Sequence, residues 1–520
     1  MKIRLFSGAN IILLMIISIA CGKKSEQADF PLHSEDYFAA YTYKNINPGV
    51  NGRPGVIPGL PDPHVFYDDT AEKWFATGTT GKNSVMLYSS HDLITWGNPK
   101  VLLTINDISW ADVSIGGLWG AELYRKGDTY YLFYSIWCDT SKVSGSNSPR
   151  TGVATCPTVD GKYTDKGEPL FNYGYSVIEN NLFRDGDNAY LIYARDALDN
   201  VVNGRHESHI YIVAFNDDWM SVKDERQAVE LLRPDREWEM LDEDIEKDGN
   251  KWAWVEGCYM QKFEENGKYY LFYSANKFYS HNYSIGYAVS DSPTGPFVKN
   301  ETNPWLMTCS DDWSGPGNNS FFRSRDGKEW FTAYHMHITP AAPSGRRYLN
   351  IDRVGLRPDG SVFISGPTET GQPLPSGEKP GHTLISKEAT VSVNSTGQGN
   401  PSMLNDGEFV VLDKYEDHQW TSQGVGSDEF VKLDWGKETR INSIYIYNST
   451  FARYQTAKIN VEFDDGKMIR DISLPVMNGK AEALHFDSHK TSWIKITIAE
   501  KGFGQLGMGF SEIMVFGFGE

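Results

Sequence analysis

Residues 256–274 read EGCYMQKFEENGKYYLFYS. Apolar and polar residues alternate, a Glu-Asn-Gly turn intervenes, and an aromatic run closes on a small residue. That is a β-hairpin: two half-buried strands joined at a residue that tolerates positive φ. The second strand, Tyr269-Tyr270-Leu271-Phe272-Tyr273-Ser274, has four counterparts: Trp74-Phe75-Ala76-Thr77-Gly78, Tyr130-Tyr131-Leu132-Phe133-Tyr134-Ser135, Tyr190-Leu191-Ile192-Tyr193-Ala194 and Trp330-Phe331-Thr332-Ala333-Tyr334. Most follow a turn carrying Gly, Asp or Asn (RKGD, RDGDN, ENGK, RDGKE). They recur at about 60 residues, stretched to about 80 before the fourth, with strand patterns and no long helical one. A period of that length made of strands predicts an all-β chain whose main body is a five-bladed β-propeller. A sandwich with coincidental hairpins is the competing reading.

Residues 365–382, SGPTETGQPLPSGEKPGH, are rich in Pro and Gly and lack apolar periodicity. They read as a linker. Short strands resume in VKLDWG (431–436), INSIYIYN (441–448), WIKITIAE (493–500) and FSEIMVFG (510–517), which predicts one antiparallel β-sandwich. The expected domains are a signal at 1–21, an extension at 22–54, a propeller at 55–367, a linker at 368–382 and a sandwich at 383–520.

The start, MKIRLFSGANIILLMIISIACGKKSEQ, places Lys2 and Arg4 before an apolar stretch too short for a comfortable membrane span. Ser18-Ile19-Ala20-Cys21 then resembles a bacterial lipoprotein signal, with cleavage before Cys21 and lipid on its thiol. Ser18 stands where Leu is usual, and an ordinary secretory signal is the alternative. The expectation is an exported protein, lipid-anchored to a bacterial membrane. The remaining Cys138, Cys156, Cys258 and Cys309 lack the close spacing of a zinc site; disulfides and buried thiols both stay open. A formal charge of −19 argues against nucleic acid as a partner, which would need clustered Lys and Arg. Aromatic residues at 13% suit surfaces that stack on sugar rings.

Inner propeller strands face one channel, so acids distant in sequence can converge there. Asp62 lies between two prolines in LPDPHVFYDD, on a stiff backbone at a strand entry. A strand-entry turn would use the same residues. Glu179, in SVIENNLFRDGDNAYLIY, and Glu256 each precede a hairpin by about ten residues, as Asp62 does. Three acids at equivalent places in three blades are expected to meet near the axis. Glycoside hydrolysis uses such a set: one carboxylate activates water and one carboxylic acid protonates the leaving oxygen. A third acid can hold the donor's proton by like-charge repulsion.

LPDPHVFYDD, WVEGCYMQKFEENGKYYLFYS and IGYAVSDSPTGPF (285–297) together resemble glycoside hydrolase family 43, over roughly residues 55–365. The resemblance implies a five-bladed propeller acting on arabinofuranosides or xylosides, with inversion and no redox cofactor. It places the general base on Asp62 and the general acid on Glu256. The modulating acid falls on Glu179, where Glu stands for the family's usual Asp. Trp119-Gly120-Ala121-Glu122 resembles a substrate-binding segment of the second blade. Gly315-Pro316-Gly317-Asn318-Asn319-Ser320 resembles one whose fourth residue is often a His near a central calcium; Asn318 stands there as a weaker metal candidate. His335 is a candidate channel residue, with a packed histidine as the alternative. Arg347 resembles an arginine that closes the sugar pocket, with a surface ion pair as the alternative. Trp110, Trp119, Trp137 and Trp254 are candidate pocket walls.

From about Thr383 the chain resembles a discoidin-like (F5/8 type C) module, also used as a family 32 carbohydrate-binding domain. SMLNDGE, VKLDWGKETRINSIYIYN and GMGFSEIMVFG carry that likeness. It implies a galactose-binding-like jelly-roll sandwich, a carbohydrate partner and a site for structural calcium. Trp420, Phe451, Tyr454 and Phe503 could stack on sugar or belong to the core. An exo-acting β-galactosidase and a non-catalytic glycan-binding lipoprotein are the other readings of the whole chain.

Overall fold

The computed structural model describes residues 30–518 apart from short segments at 35–38, 50–52, 144–147, 243–248, 309–312, 410, 412–417, 427, 477–478 and 503. The lipoprotein signal and Cys21 lie outside the described residues. So does Cys309, while Cys138, Cys156 and Cys258 are buried.

Five four-stranded antiparallel sheets follow one another. Each begins with an inner strand: His64–Asp68, Leu118–Lys126, Val177–Asp185, Val255–Lys262 and Gly317–Arg323. The inner strand of each blade touches that of the next, and the fifth touches the first, which closes the ring. The second strands are the aromatic runs read from the sequence. In blades 2 to 5 the hairpin turns do carry a glycine at positive φ (Gly127, Gly186, Gly267 and Gly327). The aromatic residues fill five separate cores, one between each pair of adjacent blades. Between blades 5 and 1, for example, Phe322 and Phe331 stack at 5.4 Å beside Trp74. Each blade therefore buries its faces only against its neighbours, and stability depends on closure.

Two rings of hydrogen bonds lock the blades around the axis. The first involves one left-handed residue per blade: Asp62 (φ 53°), Gly120 (59°), Glu179 (51°), Gly257 (60°) and Asn318 (49°). In blades 2 to 5 a β-bulge sits at this place. The bulge turns a backbone N–H toward the preceding blade. Gly120 donates to Thr79 Oγ1 (3.0 Å), Glu179 to Ser135 Oγ (2.8 Å), Asn318 to Ser274 Oγ (2.7 Å) and Asp62 to His335 Nδ1 (3.0 Å). Blade 3 offers only Ala194 at the acceptor place, and there Gly257 N–H donates to the Glu179 carboxylate instead.

The second ring lies two residues further along each inner strand. Leu123 N–H donates to His64 Nδ1, Met260 N–H to Asn181 Oδ1, Tyr259 Oη–H to the Phe321 carbonyl and Ser320 Oγ–H to the Pro63 carbonyl. Glu122 completes it by accepting from Asn181 Nδ2 (3.3 Å) and the Tyr124 hydroxyl.

In the C-terminal domain eight strands share one antiparallel hydrogen-bond network, not two separate sheets. Two long strands, Phe430–Asn448 and Ala481–Glu500, carry it around the main core by register shifts between Asp434 and Thr439 and between Ile441 and Ser443, and a second apolar cluster gathers around Phe409, Tyr447 and Phe516. The stretch read as a linker is packed: Gln372–Pro373 pairs with Thr42–Tyr43, and Leu374 is fully buried. The N-terminal segment spans both bodies. Phe30 enters the C-terminal core, and Asn45 Nδ2 donates to the Ile351 carbonyl of blade 5.

Candidate active site

Asp62, Glu179 and Glu256 come together in one cavity of about 400 Å³ at the mouth of the channel. A larger groove of about 1280 Å³ between blades 4 and 5 and the C-terminal domain contains none of the three acids. Two of the acids occupy equivalent places, as the sequence suggested; the third does not. Asp62 and Glu179 are the left-handed residues of their blades, whereas Glu256 stands one residue before Gly257. That offset puts Glu256 where Trp119 stands in blade 2, so its side chain rises from the rim of the ring instead of from the ring itself.

Asp62 is 9% exposed and works as an acceptor on both oxygens. Arg347 Nη1 donates to Oδ1 (3.0 Å) and Thr79 Oγ1 donates to Oδ2. Arg347 in turn lies 4.8 Å from the Phe278 ring centroid at the cavity rim. It lines the cavity and is no surface pair.

Glu256 accepts a hydrogen bond from Tyr283 Oη (3.0 Å) and is buried. Burial, followed by the charge of Asp196, pushes its carboxyl up to about 8, against the smaller opposing effect of the Tyr283 hydrogen bond. It therefore carries a proton at neutral pH. Tyr283 lies parallel to His335 at 5.7 Å, which ties the acid's donor to the base's neighbour across two blades.

Glu179 bridges blades 4 and 5. Its carboxylate accepts from Gly257 N–H and from Asn318 Nδ2 (3.1 Å). Burial, then the charges of Glu256 and Asp62, hold its carboxyl well above the usual range. Around these acids Trp119, Trp137 and Trp254 form walls, and exposed Leu198, Phe278 and Tyr279 form an apolar rim.

Several candidates sit elsewhere. Trp110 belongs to the core between blades 1 and 2, where Nε1 donates to Asp165 (3.1 Å). Glu122 points down the channel into the second ring because the bulge at Trp119 separates the two residues by half a strand repeat. Burial pushes its carboxyl up to about 8. His335 is fully buried behind Asp62 and supports that residue's N–H without reaching the cavity; burial first, then Arg347, holds its imidazole well below the usual range. Asp196 lines the cavity and was not read from the sequence, where ARDALDN looks like an ordinary turn.

The residues around Asn318 do not fit a metal. Its amide nitrogen, a donor, faces Glu179, and Asn181 and Ser320 beside the channel are committed to the second ring. The C-terminal domain differs. Glu512 is fully buried, one oxygen accepts from Gly407 N–H (3.1 Å), and Oε1 has no partner. Burial and then Asp406 hold its carboxyl well above the usual range. An orphaned carboxylate oxygen beside a second acid fits a hard cation. Nearby Glu408 is engaged by the Arg357 guanidinium, and Asp406 Oδ2 by His418 Nε2 (2.9 Å), so Glu512 Oε1 is the open oxygen and a cation would displace His418 from Asp406. Trp420 is fully buried in the core, and Phe503 lies outside the described residues.

The description "Glycosyl hydrolases family 43" matches residues 53–362, and a domain of unknown function, DUF7402, matches 385–516. The chain is 27% identical over 293 residues to a β-D-galactofuranosidase, xynD, of Aspergillus niger, covering 53% of this chain and 72% of that protein. It is 23% identical over 387 residues to α-L-arabinofuranosidase 43 of Humicola insolens, covering 70% of each. A xylosidase/arabinosidase of Bacteroides ovatus is 25% identical over 303 residues, covering 54% and 84%. Among solved structures, a thermostable family-43 glycoside hydrolase superposes with a TM-score of 0.55 at 32% identity, over 65% of this chain and all of the other. The match spans more than half the chain and takes in all five blades: this protein belongs to glycosyl hydrolase family 43 and is a glycosidase.

Proposed function

We propose that the protein is an inverting, exo-acting glycosidase that releases terminal α-L-arabinofuranosyl or β-D-xylosyl residues from a complex polysaccharide. The observation that carries this reading is the opposed chemistry of two acids in one small cavity. Asp62 accepts from Arg347 and Thr79 and is arranged to receive a proton, whereas Glu256 is kept protonated by burial and by a like charge. In the reaction Asp62 takes a proton from water as the water oxygen attacks the anomeric carbon. Glu256 gives its proton to the departing oxygen. Glu179 fixes the Gly257 peptide, and so the backbone from which Glu256 springs. The tryptophan walls supply faces for sugar C–H groups. Arg347 closes the cavity beside the base.

The relatives' names support furanosidic and xylosidic substrates, and the enclosed cavity supports a terminal sugar. The decisive experiment is hydrolysis of 4-nitrophenyl α-L-arabinofuranoside, β-D-xyloside and β-D-galactoside by the protein lacking residues 1–21, beside Asp62→Asn and Glu256→Gln. Asp62→Asn is expected to abolish turnover of the panel, and Glu256→Gln to abolish turnover of glycosides whose leaving oxygen must be protonated. Turnover that survives Glu256→Gln on a substrate with a poor leaving group would refute the assignment. Export and lipid attachment at Cys21 are part of the proposal; labelled palmitate should enter the wild type and not Cys21→Ser. Calcium in the C-terminal domain would be held by Asp406 and Glu512, as a brace for the loop at Gly407 with no part in the reaction.

A further inference from the structure

Asp196 is a buried carboxylate to which the mechanism above gives only one part, a charge acting on Glu256. It directly follows the second strand of blade 3, Asn188–Arg195, at the cavity wall. Its backbone is fixed, with N–H donating to the Ser176 carbonyl (3.0 Å). Oδ1 is fixed too, accepting from Leu198 N–H (2.8 Å). Among the described residues Asp196 forms no ion pair, and no protein group donates to Oδ2. A turn-capping aspartate needs only the first oxygen and gains nothing from burial. Although the residue is only 8% exposed, Oδ2 is not shut away as Asp199 Oδ1 is: it is the one carboxylate oxygen of Asp196 left open to the cavity, where a ligand hydroxyl can reach it.

We propose that Asp196 is a sugar-binding residue, whose Oδ2 accepts hydroxyl hydrogen bonds from the terminal sugar in this cavity. The inference rests on the glycosidase reading and adds the group that recognises the sugar's hydroxyl pattern. The other groups facing Asp196 are Glu256, Asp199 and His206. Leu198 beside it is exposed at the rim, so the cavity reaches solvent next to the carboxylate. Burial lifts the Asp196 carboxyl to about 6, which leaves it ionised and accepting above that pH. The furanosides offer a graded probe. α-L-Arabinofuranose and β-D-galactofuranose share one ring configuration and differ by a single hydroxyl-bearing carbon on the exocyclic arm.

Asp196 also repels charge on Glu256, so a loss of activity alone would not separate recognition from proton retention. The test is therefore binding in a Glu256→Gln background, where position 256 cannot titrate. Dissociation constants of 4-nitrophenyl α-L-arabinofuranoside, β-D-galactofuranoside and β-D-xyloside are measured at pH 7.5 from the fluorescence of Trp119, Trp137 and Trp254. Adding Asp196→Asn should weaken the best-bound glycoside about tenfold, and Asp196→Ala about a hundredfold. Asn keeps the Leu198 contact, so a thermal melt like that of the parent shows that the fold is intact. Unchanged dissociation constants in both double variants would overturn the proposal and leave Asp196 as a charge acting on Glu256. Because binding needs no turnover, a wild type that hydrolyses no glycoside but shows this loss would sink the hydrolase reading while keeping Asp196 as a sugar ligand.

Discussion

Glu179 stands where the family resemblance expects Asp, and the first ring explains the longer arm. Every other blade supplies a side-chain acceptor for the left-handed N–H, but blade 3 supplies Ala194, so Gly257 N–H must be met by the Glu179 carboxylate. Glu179→Asp withdraws that carboxylate by one carbon–carbon bond, about 1.5 Å. The Asn318 contact, now 3.1 Å, then passes beyond hydrogen-bonding range. Leaving Gly257 N–H unpaired costs about 1–3 kcal/mol, and the lost Asn318 bond about 1 kcal/mol more. A displacement of the Glu256 backbone by about 1 Å would cost on the order of a hundredfold in rate. The expected result is a Tm lower by several degrees and a kcat/KM about a hundredfold lower on the best 4-nitrophenyl glycoside. The double variant Glu179→Asp/Ala194→Ser carries the control. The serine hydroxyl would take Gly257 N–H as Ser135 takes that of Glu179, restoring most of the Tm and, by reseating the Glu256 backbone, most of kcat/KM. A Glu179→Asp protein with wild-type Tm and kcat/KM would refute the ring argument.

Three further outcomes follow from the same groups. With Glu256 protonated up to about 8, kcat/KM should fall as pH rises through that value; Tyr283→Phe removes the hydrogen bond that favours the ionised form, so a pH–rate profile should show the alkaline limb moved upward. Glu122 titrates at about 8 when folded and near 4.5 in the open chain, so the folded state holds the extra proton between those values and stability drains away as pH rises through them. Glu122→Gln should match the wild type in unfolding free energy at pH 4 and exceed it at pH 9 by on the order of 2 kcal/mol, the full shift being discounted because the side chain is only partly buried; denaturant midpoints at the two pH values check it. Chelation with EGTA should lower the Tm of the wild type and leave Glu512→Gln unmoved; equal shifts in both would remove calcium from that loop.

The blades were legible because a hairpin writes its pattern locally. Alternation, a Gly-bearing turn and an aromatic run all fall within about twenty residues, and five copies at one spacing leave few folds that could accommodate them. The convergence of Asp62, Glu179 and Glu256 was legible for the same reason, since each acid precedes its hairpin by about ten residues, although the one-residue offset of Glu256 was not. What failed to show was anything decided between blades. Glu122 and His335 were read as sugar contacts because they sit beside the right motifs, but Glu122, two residues beyond Gly120, belongs to the second ring, and His335 sits behind Asp62 as an acceptor in the first. Trp110 was assigned by its residue type, and type does not distinguish a wall from a core. Asp196 left no signal because a turn aspartate and a sugar ligand look alike until the second oxygen is found without a partner.

The two rings also explain why the acids can differ in chemistry while sharing a cavity. A side chain at the left-handed place is drawn into the blade-to-blade lattice. Asp62 is held from His335 through its N–H and from Thr79 and Arg347 through its carboxylate. Such a position suits a group that must stay put and accept. Glu256, one residue earlier, escapes the lattice: its side chain meets one hydroxyl, from Tyr283, and otherwise faces enclosed space and the charge of Asp196. The two acids are buried alike, so it is the fewer donors and the like charge of Asp196 that favour the neutral form at Glu256. A one-residue shift along the strand therefore separates acceptor from donor. Moving the acid from 256 to 257 would place it among lattice contacts, where the built Cβ already meets Asn318 Cγ at 2.9 Å. The expected protein, Glu256→Gly/Gly257→Glu, folds poorly and hydrolyses nothing. If it retained a pH optimum and measurable turnover, the division of roles would owe nothing to the ring.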